Sequence, residues 1–89
     1  MVTAIVQHEV KDFDSWRVIF DGDEADRAKA GVKLSGLYRS VKNPNEVTII
    51  FEAPNAELYD TMMSDPGRQK KIEEAGVITK PTATILNKV

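Results

Sequence analysis

A chain of 89 residues, 42% apolar and 29% charged, has the balance of one ordinary globular domain (1–89) and is not that of a disordered segment. Its net charge of −2 supplies no electrostatic reason to expect nucleic acid or an anionic membrane as partner. The absence of cysteine excludes disulfides, thiolate metal sites and a cysteine nucleophile, and with no visible signal peptide and no apolar run of membrane-spanning length, a cytoplasmic protein is expected.

Residues 3–10 alternate as a strand, with Ala4, Val6, His8 and Val10 on one face and Thr3, Ile5, Gln7 and Glu9 on the other. Asp12 is suited to cap a following helix, and Asp14 adds charge of the favourable sign near its positive end. Phe13, Trp16, Ile19 and Phe20 recur at helical spacing as an apolar stripe. The helix is expected to run to Gly31, with a bend at Gly22. Its acidic residues Asp21, Asp23, Glu24 and Asp26 read as a solvated face with Arg27 and Lys29 nearby for pairing.

Two strand-like runs, 34–42 and 47–53, flank Asn43-Pro44-Asn45-Glu46 and predict a hairpin with a four-residue loop and an exposed tip. The later strand is apolar through Val47, Ile49 and Phe51 and mixed through Thr48, Ile50 and Glu52. A second helix comes next in two pieces, 55–64 and 66–75, because Asp65-Pro66 makes a fresh start; Gly76 closes it. The run Arg68-Gln69-Lys70-Lys71 reads as surface, and residues 82–88 as a last strand.

The order β-α-β-β-α-β, with a right-handed crossover around each helix, predicts an α+β ferredoxin-like sandwich: an antiparallel four-stranded sheet with helices on one face. The other face mixes Ile5, Ile50 and Leu86 with Gln7, Thr48, Glu52 and Thr84. It is too apolar to leave wet and too polar for a core. Two copies closing face to face would bury it symmetrically, so a homodimer forming an α+β barrel is expected.

The stretch Val6-Gln7-His8-Glu9-Val10-Lys11-Asp12-Phe13-Asp14-Ser15-Trp16 is similar to the opening "VxHxVxDFDxW" of small dimeric α+β barrel proteins. Tyr38-Arg39-Ser40, Asn43-Pro44-Asn45-Glu46-Val47 and Ala75-Gly76-Val77-Ile78 resemble that group too. The resemblance spans nearly the whole chain. The superfamily includes antibiotic-biosynthesis monooxygenases that need no cofactor, cyclase-like proteins, lactone isomerases and haem-degrading enzymes. Members of the last kind use a helix-borne histidine, which neither helix here has. The resemblance thus implies a cleft between helices and sheet and an activity without cofactor, while fold alone does not fix chemistry.

His8, the only histidine, has two roles open to it: a packed side chain bonding the backbone, or a proton-transfer residue at the mouth of a pocket. No metal site is expected, since no second histidine exists and Glu9 alternates away. With Tyr38 as a second catalytic candidate, and Trp16, Phe20 and Phe13 as substrate-binding candidates, these residues suggest an aromatic-walled cleft for a small apolar or aromatic molecule. In that case the protein is a monooxygenase-like or cyclase-like enzyme. Otherwise the same side chains are core, and the protein is a non-catalytic dimeric module. RNA binding through the sheet is disfavoured, because residues 46–53 lack paired exposed aromatics and flanking basic residues.

Overall fold

Alternation decides which way the central strands face. In β1 (Val2–Glu9), Val2, Ala4, Val6 and His8 are buried, and in β3 (Glu46–Ala53) Val47, Ile49, Phe51 and Ala53 are buried. The two pair antiparallel from Val2 opposite Ala53 to Glu9 opposite Glu46, which puts both apolar sets on one side of the sheet. With β2 (Lys33–Arg39) and β4 (Thr82–Asn87) as edges, the sheet order is β2-β3-β1-β4, all antiparallel. This is the expected ferredoxin-like α+β arrangement, described by a computed structural model over residues 1–89. No helix is long and apolar enough to cross a membrane.

The second helical segment breaks where the sequence says it should, and the first breaks where only a bend is expected. Asp12 caps α1 (Phe13–Gly22), accepting hydrogen bonds from the Ser15 backbone N–H at 3.0 Å and the Ser15 hydroxyl at 2.6 Å. The bend expected at Gly22 is a full break, after which α2 (Glu24–Lys29) begins. Asn55 caps α3 (Ala56–Ser64) through the Leu58 N–H at 2.7 Å, and extended Asp65 separates it from α4 (Pro66–Glu74), which starts on proline. Gly31 and Gly76, with φ of +79° and +88°, end the two helical pairs in the left-handed region that glycine tolerates.

Phe13, Trp16 and Phe20 from α1, Tyr59 from α3 and Ala75 after α4 close the core over the inner sheet face. The outer face carries Ile5, opposite Ile50 on one side and Thr84 on the other, with Leu86 nearby and exposed.

One expectation about the hairpin needs correction. Its connection is six residues long (40–45), because the pairing of β2 stops at Arg39. Its tip is exposed as expected, at Val41, Lys42 and Pro44, while the turn is also tied to β1. The Asn43 side chain accepts from the Asn45 N–H at 3.1 Å and donates to Glu9 Oε1 at 3.3 Å, while the Val10 N–H donates to the Asn45 carbonyl at 2.8 Å. The turn therefore anchors the end of β1 just past His8. Replacing Asn43 by alanine should cost about 1–2 kcal/mol in urea unfolding, since one half-buried bond and the local turn bond are both lost. An unchanged midpoint would show that the anchor contributes nothing.

Candidate functional site

His8 is where the alternation of β1 brings a polar ring into the apolar layer; it is 7% exposed. Its ring meets Trp16 edge-on, with centroids 5.5 Å apart at 69°. Trp16 stacks on Phe20 at 4.7 Å, and Phe20 lies 6.2 Å from Phe51 of β3. One helical turn separates Trp16 from Phe20, so α1 lays them in a row above the sheet. Arg27 of α2 extends that row, its guanidinium 4.0 Å above the Phe20 ring and 5.8 Å from Phe51.

This row forms one wall of a cleft whose other wall is Met62 and Met63 of α3 with Arg68, Lys71 and Ile72 of α4. Val6, His8, Ile49 and Phe51 form its floor. The space within this partly open cleft is about 60 Å³, well under the roughly 150 Å³ of an apolar cavity that holds benzene. It adjoins a larger open groove of about 630 Å³ between α3, α4 and the start of β4. Val6, Met63, Ile72, Val77 and Pro81 border both spaces. Methionine and isoleucine side chains are thus the partition between groove and His8, and methionine repacks readily.

Two buried polar atoms have no partner in the protein: Nδ1 of His8 and the hydroxyl of Tyr59. His8 faces the inner cleft and Tyr59 the groove. Burial pushes the His8 pKa below its ordinary value, so the ring is held neutral near pH 7 and one of its nitrogens is free to accept a proton. Burial likewise pushes the Tyr59 phenol up to about 12, which keeps it protonated as a donor. No three His, Cys, Asp or Glu side chains gather as metal ligands.

Of the residues singled out in the sequence, His8, Trp16 and Phe20 come together at the cleft. Phe13 does not. It is buried on the other side of Trp16, 5.7 Å from that ring, with the Arg39 guanidinium 3.9 Å above it. Tyr38 is on the wrong face: it pairs with Thr48, is 58% exposed, and lays its ring across Gly36, where a methyl group would come within 2.7 Å of it. The cause is a bulge between Leu34 and Gly36, which shifts the register of β2 and turns Tyr38 to the outer side.

Two charge assignments also change. Arg27 is no solvated surface partner but a buried side chain, and Arg68 lines the cleft instead of standing free. Arg27 is buried because α2 packs its guanidinium on the Phe20 ring of α1, a contact across the break at Gly22 that residue spacing does not announce. Tyr59 shows in the sequence only as one of the apolar residues of 55–64, with Leu58, Met62 and Met63.

A family model matches residues 1–86, nearly the whole chain. The protein belongs to the domain family of unknown function DUF3764. No curated protein matches it. Solved structures do. A crystal structure of an antibiotic biosynthesis monooxygenase is 17% identical, over 100% of this chain and 99% of its own, with a TM-score of 0.73. A Bordetella bronchiseptica protein provisionally named an antibiotic biosynthesis monooxygenase is 14% identical over 99% and 96%, with a TM-score of 0.80. An uncharacterized NIPSNAP domain protein from Burkholderia xenovorans is 11% identical over 100% and 95%, at 0.68. At such identities the likeness is one of fold, the ferredoxin-like fold of antibiotic-biosynthesis-monooxygenase-like proteins.

The state of His8 has a consequence for stability. Its folded pKa lies below the unfolded value of about 6.5, so the unfolded chain binds the proton more readily. Its contribution is intact above that pH and falls away as the pH drops below it. Between pH 7 and pH 5, unfolding midpoints should fall more steeply for the DUF3764 protein than for its His8→Leu variant. Parallel pH profiles would show that the ring is not held neutral by burial.

Proposed function

We propose that this member of DUF3764 is a homodimeric enzyme that takes a small apolar or aromatic molecule into the cleft of each subunit and acts on it in a cofactor-independent, monooxygenase-like or cyclase-like manner. The observation carrying this reading is the Nδ1 atom of His8: buried, without a protein partner, in a cleft walled by Trp16 and Phe20. A histidine kept for structure bonds a protein group, since an unmet buried polar atom costs about 1–3 kcal/mol. A ligand hydroxyl would meet this one. A neutral imidazole can accept the proton of such a hydroxyl, leaving the electron-rich oxyanion that ring oxygenation and ring closure both require. Trp16 packs on the ligand ring, and the shift of Met63 and Ile72 admits it from the groove.

The cleft reading is tested by titrating wild type and His8→Leu with a panel of phenols, read by the fluorescence of Trp16, the sole tryptophan. The variant should keep or exceed the wild-type melting point at pH 7.5, because an apolar side chain of similar size replaces an unmet polar one. Its ligand binding should weaken about tenfold. A sharply lower melting point with no ligand response in either protein would make His8 structural.

The dimer rests on the outer sheet face. Ile5, Ile50 and Leu86 leave apolar surface around Gln7 and Thr48, which bond each other at 3.2 Å. A second copy would cover that surface, Tyr38 included, by a two-fold contact. Sedimentation should give twice the chain mass at micromolar concentration, and Ile50→Lys should give the single mass, because it places an unpaired charge in the contact. A wild-type monomer would contradict the assembly.

A further inference from the structure

Arg27 is a buried cation, 3% exposed, whose guanidinium makes one side-chain hydrogen bond, from Nη1 to the Phe20 carbonyl at 2.9 Å. The ion pairs of the protein are Arg17–Asp21, Arg68–Asp23, Lys71–Asp23 and Lys71–Asp26, and none includes it. A guanidinium carries five N–H donors and does not shed its proton in proteins. Burial disfavours such a charge, and the Phe20 ring with the longer-range attraction of Asp23, Glu24 and Asp21 offsets only part of that. Arg27 faces the cleft beside Arg68 and Lys71, which share Asp23 at 3.9 and 3.6 Å. Of the charged side chains lining the cleft, Arg27, Arg68 and Lys71 are positive and Asp23 alone is negative; Asp26 reaches Lys71 from outside it, and Asp21 and Glu24 act on Arg27 at longer range.

We propose that this end of the cleft seats the carboxylate of an apolar acid, on Arg27 and Arg68, with the body of the molecule along Phe20 and Trp16 toward His8. The proposal rests on the cleft reading above and names the class of molecule the cleft takes. A carboxylate brings negative charge to a cleft lined by three cations and one carboxylate, and its two oxygens match the fork of a guanidinium. The aromatic row supplies the apolar surface between the two polar ends, so an acid with its charge at one extremity and a ring hydroxyl at the other fits both. An uncharged analogue of the same shape would leave the charge of Arg27 unmet.

The test uses 3-(4-hydroxyphenyl)propionate and its primary amide, which share the ring hydroxyl that His8 would meet and differ in charge, titrated into the protein with Trp16 fluorescence as readout. Wild type should bind the acid about tenfold more tightly than the amide. Arg68→Gln, which alters a side chain only partly buried, should remove most of that preference and leave amide binding unchanged. Asp23→Asn should move the other way and tighten the acid alone, because it removes the carboxylate that competes for Arg68. Equal binding of acid and amide by wild type, or equal weakening of both in Arg68→Gln, would overturn the carboxylate seat while leaving the cleft in place. Binding of neither compound, alongside the absence of any response to the phenol panel, would overturn the cleft and the seat together.

Discussion

The row of rings from His8 through Trp16 and Phe20 to Phe51 is the contact on which the rest depends. It fixes α1 above β1 and β3, because two aromatic residues one turn apart can rest on the sheet in only one rotation of the helix. Offset and edge-on pairs add about 0.5–1.5 kcal/mol each to the burial of the rings themselves. In a domain of 89 residues with a small core, several such contacts are a sizeable share of net stability. The same row is also a wall. Whatever enters between α1 and α3–α4 meets an aromatic surface with an imidazole at one end and a guanidinium at the other.

Those two ends are where the fold accepts a penalty. A leucine in place of His8 and a methionine in place of Arg27 would suit the layer better, if packing were all that mattered. Both side chains are held there by the fold, His8 by the alternation of a central strand and Arg27 by the packing of α2 on the Phe20 ring. The 40–45 turn is hydrogen-bonded to Glu9 and Val10, which ties down the strand end next to His8. Polar atoms left unmet in an otherwise satisfied core call for a partner, which water or a ligand can supply.

How much of this the sequence discloses depends on how local each cause is. The alternation of β1 and β3 is local, reinforced by neighbours on both sides, and it places His8, Val6, Ile49 and Phe51 on their true face. The helix break at Asp65-Pro66 is equally local and equally legible, whereas at Gly22 the sequence shows only a bend where the structure has a break. Tyr38 is not, because a single bulge in an edge strand reverses the facing of every residue beyond it, and edge strands have only one partner to hold a register. Arg27 is hidden for another reason: the stretch around it is rich in charge and looks solvated, and only the packing of α2 against the Phe20 ring buries it. The chamber behind Met63 and Ile72 is a property of packed side chains, and no residue pattern announces it.

The central claim is that His8 is a neutral, unpartnered ring whose missing hydrogen bond a ligand supplies. Its being the sole histidine lets one spectrum decide. In protein labelled with ¹⁵N at histidine, the two imidazole nitrogens report charge, tautomer and hydrogen bonding directly. The account predicts a mostly neutral ring at pH 7, as a pKa below the ordinary value requires, and a shift of the Nδ1 resonance, with Nε2 moving less, on saturation with a bound phenol. A ring protonated at that pH, or an Nδ1 signal indifferent to every ligand that Trp16 detects, would contradict it.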